Sequence, residues 1–172
     1  MTQLAETTDI KASAASLTDK FGFGRDVRRE ISKRLQSCLT DWIAIALQLK
    51  QAHWNLVGPQ FRAVHEQLDE IEADVRLNAD ELAERIVTLG ESADGRPDTV
   101  AGDNHVEALP LGRLDVGECV EALVSNIGKV VGNAREVLPK LGEEDPISED
   151  VLIAALRNLE KHDWMLRSLI GI

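Results

Sequence analysis

KQAHWNLVGPQFRAVHEQLDEIEADVRLNADELAER, residues 50–85, contains the end of one amphipathic helix, a Gly58-Pro59 break and most of a second helix. Gly suits the position just past a helix, and Pro suits the first turn of the next. Upstream, Val27, Ile31, Leu35, Cys38, Trp42, Ile45 and Leu49 recur at three- and four-residue steps, so the first helix spans about Arg25 to Val57. Downstream, Phe61, Val64, Leu68, Ile71, Val75, Leu82, Ile86 and Leu89 form the apolar stripe of a helix that runs to about Leu89.

The remainder of the chain supplies a second helix pair. Residues 90–114 contain Gly and Pro and few periodic apolar positions, which predicts a long connection with a short helix around Thr99 to Asn104. Asp115 and Glu118 make a capping box for a third helix, whose stripe of Val120, Leu123, Ile127, Val130, Ala134, Val137 and Leu141 reaches Gly142. Asp145 and Pro146 open a fourth, carrying Val151, Ala155, Leu159, Trp164 and Leu169 and leaving no C-terminal tail. Residues 1–20, rich in Thr, Ser and Ala, read as a flexible arm, and residues 21–172 as one domain. Two tight helix pairs joined by one long crossover describe an all-α, ferritin-like four-helix bundle.

Composition agrees with a helical domain. The 172 residues are 44% hydrophobic and 28% charged, with three Trp, three Phe and no Tyr, too few aromatics for a β-sandwich or barrel. Nineteen basic against thirty acidic residues leave a net charge of −11, which repels nucleic acid and anionic lipid and favours cations as partners. There is no membrane-spanning stretch and no secretory leader, so a cytoplasmic protein is expected. Cys38 and Cys119 have no CxxC or finger spacing and read as small buried hydrophobes.

The chemistry concentrates on His53, His65, Asp69, Asp80 and Glu84, all able to bind a hard or borderline divalent metal. At about 100° per residue, His65, Asp69, Asp80 and Glu84 fall near 0°, 40°, 60° and 100° around the helix axis, one face well away from the apolar stripe. Asp69 and Asp80, however, are about 16 Å apart along that axis, while metal–ligand bonds are only about 2–2.6 Å. Within one chain these are two half-sites. Antiparallel packing of two copies about a two-fold axis would bring the His65/Asp69 end of one to the Asp80/Glu84 end of the other and form two identical sites. His53, ending the first helix, could add a nitrogen to the first half.

A plainer account stands beside this one. Acidic residues on a helix commonly form a solvated face, and this helix also carries Glu66, Glu70, Glu72, Asp74 and Glu81. His53 near Leu49 and Leu56 fits a satisfied, partly buried histidine, and Trp54 fits simple packing.

The motif His53-Trp54-Asn55, Gly58-Pro59-x-Phe61, His65-x-x-x-Asp69 and Asp80-x-x-x-Glu84-Arg85 closely resembles that of the Dps family of miniferritins. The resemblance extends more loosely over residues 25–170. It implies a hollow shell of twelve subunits with two-iron ferroxidase centres at two-fold interfaces, His53, His65 and Asp69 coming from one subunit and Asp80 and Glu84 from its neighbour. Asp69 and Glu84 would be the principal carboxylate ligands, with Asp80 a further ligand or one that orients a histidine. Family members oxidise Fe(II), preferentially with hydrogen peroxide, and store the ferric product; other divalent metals can occupy such sites. Trp54 resembles an aromatic residue held to absorb stray oxidising equivalents.

The run GEEDPISED, residues 142–150, places carboxylates where they complement a helix dipole. In Dps shells this region lines three-fold pores that admit Fe(II), which makes Asp145 and Asp150 the candidate pore residues. DNA-binding members carry Lys/Arg-rich tails; this chain's arm has only Lys11 and Lys20. Twelve copies at −11 each carry −132, so DNA binding is expected to be absent or weak and salt-sensitive. The cluster Arg25, Arg28, Arg29, Lys33 and Arg34 is expected to pair with nearby carboxylates.

Overall fold

A computed structural model describes residues 21–171, so the N-terminal arm expected at 1–20 lies outside the described residues. Four long helices form the bundle: α1 (Arg25–Asn55), α2 (Phe61–Thr88), α4 (Val116–Glu144) and α5 (Pro146–Ile170), with a short α3 (Pro97–Gly102) in the crossover. α1 packs on α2 and α4, and α5 packs on α4 and α2, so each long helix touches two others around a shared apolar centre. Trp42, Ile45, Leu68, Leu82, Leu123 and Leu152 are among the side chains closed off there. No helix among the described residues is long and apolar enough to cross a membrane.

The crossover climbs the bundle alongside α1, held at successive heights by polar side chains. Gln36 donates to the Asp94 carbonyl and accepts from the Asp94 N–H, both at 2.8 Å. Higher up, the fully buried Asp41 accepts from the His105 N–H at 2.7 Å and from Asn133 of α4 at 2.7 Å. Higher still, Gln48 accepts from the Leu109 N–H at 2.7 Å, and Asn126 exchanges two bonds with the backbone of Glu107. A connection that spans the full height of the bundle makes all packed neighbours antiparallel.

At the top, a feature without a periodic signal appears. β1 (Leu56–Val57) pairs in parallel with β2 (Leu114–Asp115), so the first helix ends at Asn55 and not at Val57. This bridge ties the α1/α2 turn to the start of α4. Gly58 sits beside it at φ +118°, where a Cβ would come within 3.0 Å of the Asp115 carboxylate, so both the backbone angle and the space require glycine. Asp115 caps α4 by accepting from the Gly117 N–H at 2.8 Å.

Three residues placed on apolar stripes stand outside the core. Val27 and Phe61 are exposed because each lies in the first turn of its helix, beyond the packed length of the bundle; Arg28 turns inward instead and donates to the Phe23 carbonyl. Trp164 is exposed because the buried line on α5 passes through Leu159, His162 and Leu166. Cys38 and Cys119 are buried as expected. Burial, helped by Asp41, pushes the Cys38 thiol up to about 12, and burial pushes Cys119 up to about 11, so neither supplies a thiolate at neutral pH.

At the lower end Asp145, one of the two pore candidates, is engaged within its own chain. It is only 4% exposed and accepts from Arg85 Nη2 at 2.6 Å and from the Ser148 hydroxyl, while capping α5 through the Ile147 N–H. Burial alone would raise its carboxyl, but the Ser148 and Arg85 hydrogen bonds outweigh that and hold it below the usual range. Asp145→Ala should therefore strand a buried guanidinium and lower unfolding stability by about 3 kcal/mol in urea titration, whereas Asp150→Ala at an exposed position should stay within about 0.5 kcal/mol. Because the folded-state carboxyl is the stronger acid, the Asp145 contribution should be complete above about pH 4 and fade as pH falls below it.

Candidate metal centre

The α1/α2 turn determines where the histidines go. His53 occupies the last turn of α1 and His65 the second turn of α2; the short reversal between them, with Gln60 at φ +63°, folds one helix back on the other. The two imidazoles stack with ring centroids 3.6 Å apart and planes inclined by 21°. His53 Nδ1 lies 2.9 Å from the His65 carbonyl, and His65 Nδ1 lies 2.9 Å from the His53 carbonyl. A carbonyl can only accept, so each Nδ1 is the donor, and in the neutral ring that tautomer leaves Nε2 as the nitrogen open to a cation. Phe61 packs over the outer side of His65 at 5.0 Å between ring centres.

Asp69 stands one turn beyond His65, its Oδ1 3.2 Å from His53 Nδ1. The same oxygen accepts from Lys50 Nζ at 2.6 Å. That Lys50 hydrogen bond, reinforced by the neighbouring imidazoles, holds the Asp69 carboxyl below the usual carboxylate range, so it is ionised throughout the neutral region. Lys50 Nζ also lies 6.0 Å from the centre of the Trp54 ring, and Trp54 is 69% exposed. Sequence patterning picked out both histidines and Asp69 but missed Lys50; its signal was the three-residue step to His53, which puts both on one side of α1.

His53, His65 and Asp69 are thus brought together. Asp80 and Glu84 are not brought to them: both sit exposed further along α2, and neither has an ion pair among the described residues. Eleven residues of helix separate Asp69 from Asp80, about 16 Å. Although His53, His65 and Asp69 lie together, Asp69 faces the Nδ1 side of His53 and is engaged by Lys50, and among the described residues no group of three His, Cys, Asp or Glu is arranged to hold a metal ion within one chain. Asp80 borders a shallow groove of about 580 Å³ between α1 and α2, alongside Ile43, Leu77 and Ala83. Leu77 is more than half exposed on that face, a large apolar side chain beside an acidic one. Of the two pore candidates, Asp150 is exposed and Asp145 is engaged internally.

Comparison with known proteins gives consistent results. The family model for the ferritin-like domain matches residues 32–172. The DNA protection during starvation protein of Agrobacterium fabrum is 37% identical over 135 residues, 78% of this chain and 83% of its own length. That of Mycolicibacterium smegmatis is 37% identical over 139 residues, 81% and 76% of the two chains. The fine tangled pili major subunit of Haemophilus ducreyi is 41% identical over 138 residues, 80% of this chain and 73% of its own. Among solved structures, Mycobacterium smegmatis Dps in a tetragonal form superimposes with TM-score 0.82 at 36% identity, covering 86% of this chain and 90% of that one. Dps from Microbacterium arborescens in a high-iron form gives 0.81 at 33% identity, covering 85% and 95%. A crossover bundle with paired histidines at its α1/α2 turn, matched over four-fifths of its length by such relatives, belongs to the ferritin-like family and, within it, to the Dps miniferritins.

Proposed function

We propose that this chain assembles as a twelve-subunit hollow shell in the cytoplasm, in which subunit pairs complete ferroxidase centres that oxidise Fe(II) and deliver ferric product to the cavity. The observation that carries this is the division of one α2 face into two ligand sets about 16 Å apart. At one end stand two imidazoles with open Nε2 positions and an ionised Asp69; at the other stand Asp80 and Glu84 with no internal partner among the described residues. A two-fold axis normal to α2 superimposes one set on the other's complement and builds two equal centres per pair. The exposed Leu77 beside Asp80 supplies apolar surface for that contact.

Iron is the substrate. Nitrogen donors from His53 and His65 with carboxylates from Asp69, Asp80 and Glu84 suit Fe(II), and the accumulated negative charge favours the ferric product over the ferrous reactant. Glu84 is the ligand assigned to bridge two irons. Hydrogen peroxide is the preferred oxidant: each of two Fe(II) ions gives one electron, the O–O bond breaks, and with two waters the products are two FeO(OH) units and four protons. Trp54, exposed beside the centre, is assigned the interception of stray one-electron oxidants. Entry of Fe(II) is assigned to pores bearing Asp150.

The names of several relatives favour a second reading, a DNA-protecting protein whose metal sites are secondary. Charge opposes direct binding here. Lys33 pairs with Glu30 and Arg34 with Glu144, so part of the α1 basic cluster is already engaged, and twelve copies at −11 carry −132.

Asp69→Ala combined with Glu84→Ala should leave a particle of about 227 kDa, twelve chains of 18.9 kDa, while slowing initial Fe(II) oxidation about a hundredfold; an unchanged initial rate in stopped-flow absorbance refutes the site. In gel-shift titration, the wild-type particle should retain no DNA at physiological salt, and tight retention there would establish the second reading.

A further inference from the structure

Where the crossover runs beside α4, His105, Glu107, Lys129, Gly132, Asn133 and Glu136 line an open cavity of about 440 Å³. A side chain added at Gly132 would meet nothing within 4 Å, so the space reaches down to the α4 backbone. Behind its wall lies Asp41 of α1, with no exposed surface. Its Oδ1 accepts the His105 N–H at 2.7 Å and its Oδ2 accepts from Asn133 at 2.7 Å, so the carboxylate already ties the crossover to α1 and α4 without the imidazole.

The ring adds a further contact: His105 Nδ1 stands 3.1 and 3.0 Å from the two Asp41 oxygens. A carboxylate accepts, so Nδ1 is the donor, and in the neutral ring Nε2 keeps the lone pair. Nε2 lies on the far side of the ring from Asp41, and the His105 side chain is 55% exposed where it lines the cavity. A histidine whose other nitrogen donates to a fixed carboxylate is the arrangement that orients a metal-binding imidazole and makes it a better base.

Carboxylates stand on both flanks. Glu136, three residues beyond Asn133 on α4, is exposed, lines the same cavity and has no ion pair among the described residues. Glu107 follows His105 by two residues. Its backbone is clamped by Asn126 through bonds of 2.9 and 2.8 Å, and its carboxylate holds Lys129 Nζ at 2.6 Å. With Glu107 so engaged, two donors stand free and, among the described residues, no group of three is assembled.

We propose that this cavity takes a borderline divalent cation such as Zn(II), bound by His105 Nε2 and Glu136, with Glu107 joining as the cation displaces Lys129 and water filling the remaining positions. The exchange replaces one positive charge with two, which a chain of net charge −11 favours. Asp41 is the positioning residue. It precedes His53 by twelve residues on α1, about 18 Å along the axis, so the site is separate from the two-fold centre and lies within one chain.

The test is calorimetric titration of Zn(II) into the full chain carrying Asp69→Ala and Glu84→Ala, which weakens the ligand set of the two-fold centre. Adding His105→Gln should remove one Zn(II) per chain from the isotherm, an affinity loss of about a hundredfold, with helix content by circular dichroism unchanged. Lys129→Met should instead tighten the same site severalfold by freeing Glu107, a gain that a purely structural tether does not produce. Asp41→Asn should weaken Zn(II) about tenfold, and in the combined Asp41→Asn/Lys129→Met chain the Lys129→Met gain should survive on that weaker baseline, whereas collapse of the cavity would erase it. An isotherm unchanged by His105→Gln, no gain from Lys129→Met, or anomalous scattering from a zinc-soaked wild-type crystal that places no ion at His105 Nε2 overturns the site. Zinc is redox-silent, so the outcome is read independently of Fe(II) oxidation.

Discussion

Two imidazoles at the closed end of the α1/α2 hairpin each donate a hydrogen bond to the other's backbone carbonyl, and the proposed metal site depends on this reciprocal pair. The bonds orient both rings and hold them in a stack 3.6 Å apart, so the proposed nitrogen ligands are positioned by the fold itself. The reversal is itself held from outside: the Leu56–Val57 bridge to Leu114–Asp115 anchors it to α4, and Gly58 lets the Asp115 carboxylate approach.

The polar groups inside the bundle act as location pins more than as sources of net stability. Asp41, wholly buried, joins α1, the crossover and α4 through bonds to His105 and Asn133. Arg85, Asp145 and Ser148 join α2 to the start of α5. Buried ionic groups often contribute little beyond an apolar replacement, but they penalise any register in which a partner is lost. Here the registers they enforce are those of α2 against α5 and of the crossover against α1 and α4.

Seen from outside, the α2 face combines the exposed Leu77 with Asp80, unpaired among the described residues, and is assigned the two-fold contact. Apolar area beside a defined charge pattern is the combination that gives association both strength and specificity.

Much was legible in one dimension because helices are locally coded. The three- and four-residue recurrence of Ile31, Leu35, Cys38, Trp42, Ile45 and Leu49, the Gly58-Pro59 break and the Asp145-Pro146 start follow from side-chain spacing and backbone allowances that involve only near neighbours. The same holds for the ligand face of α2 and its 16 Å division, since helix rise and turn angle are constants. What depends on distant segments was not legible. The β1/β2 bridge joins residues 58 apart in sequence. The His53–His65 exchange with Lys50 poised on Asp69, and the withdrawal of Asp145 beneath Arg85, likewise arise only when separate helices meet. Periodicity determines which side of a helix is apolar; only packing decides which polar group on the other side finds a partner, because that depends on what another part of the chain brings within about 3 Å.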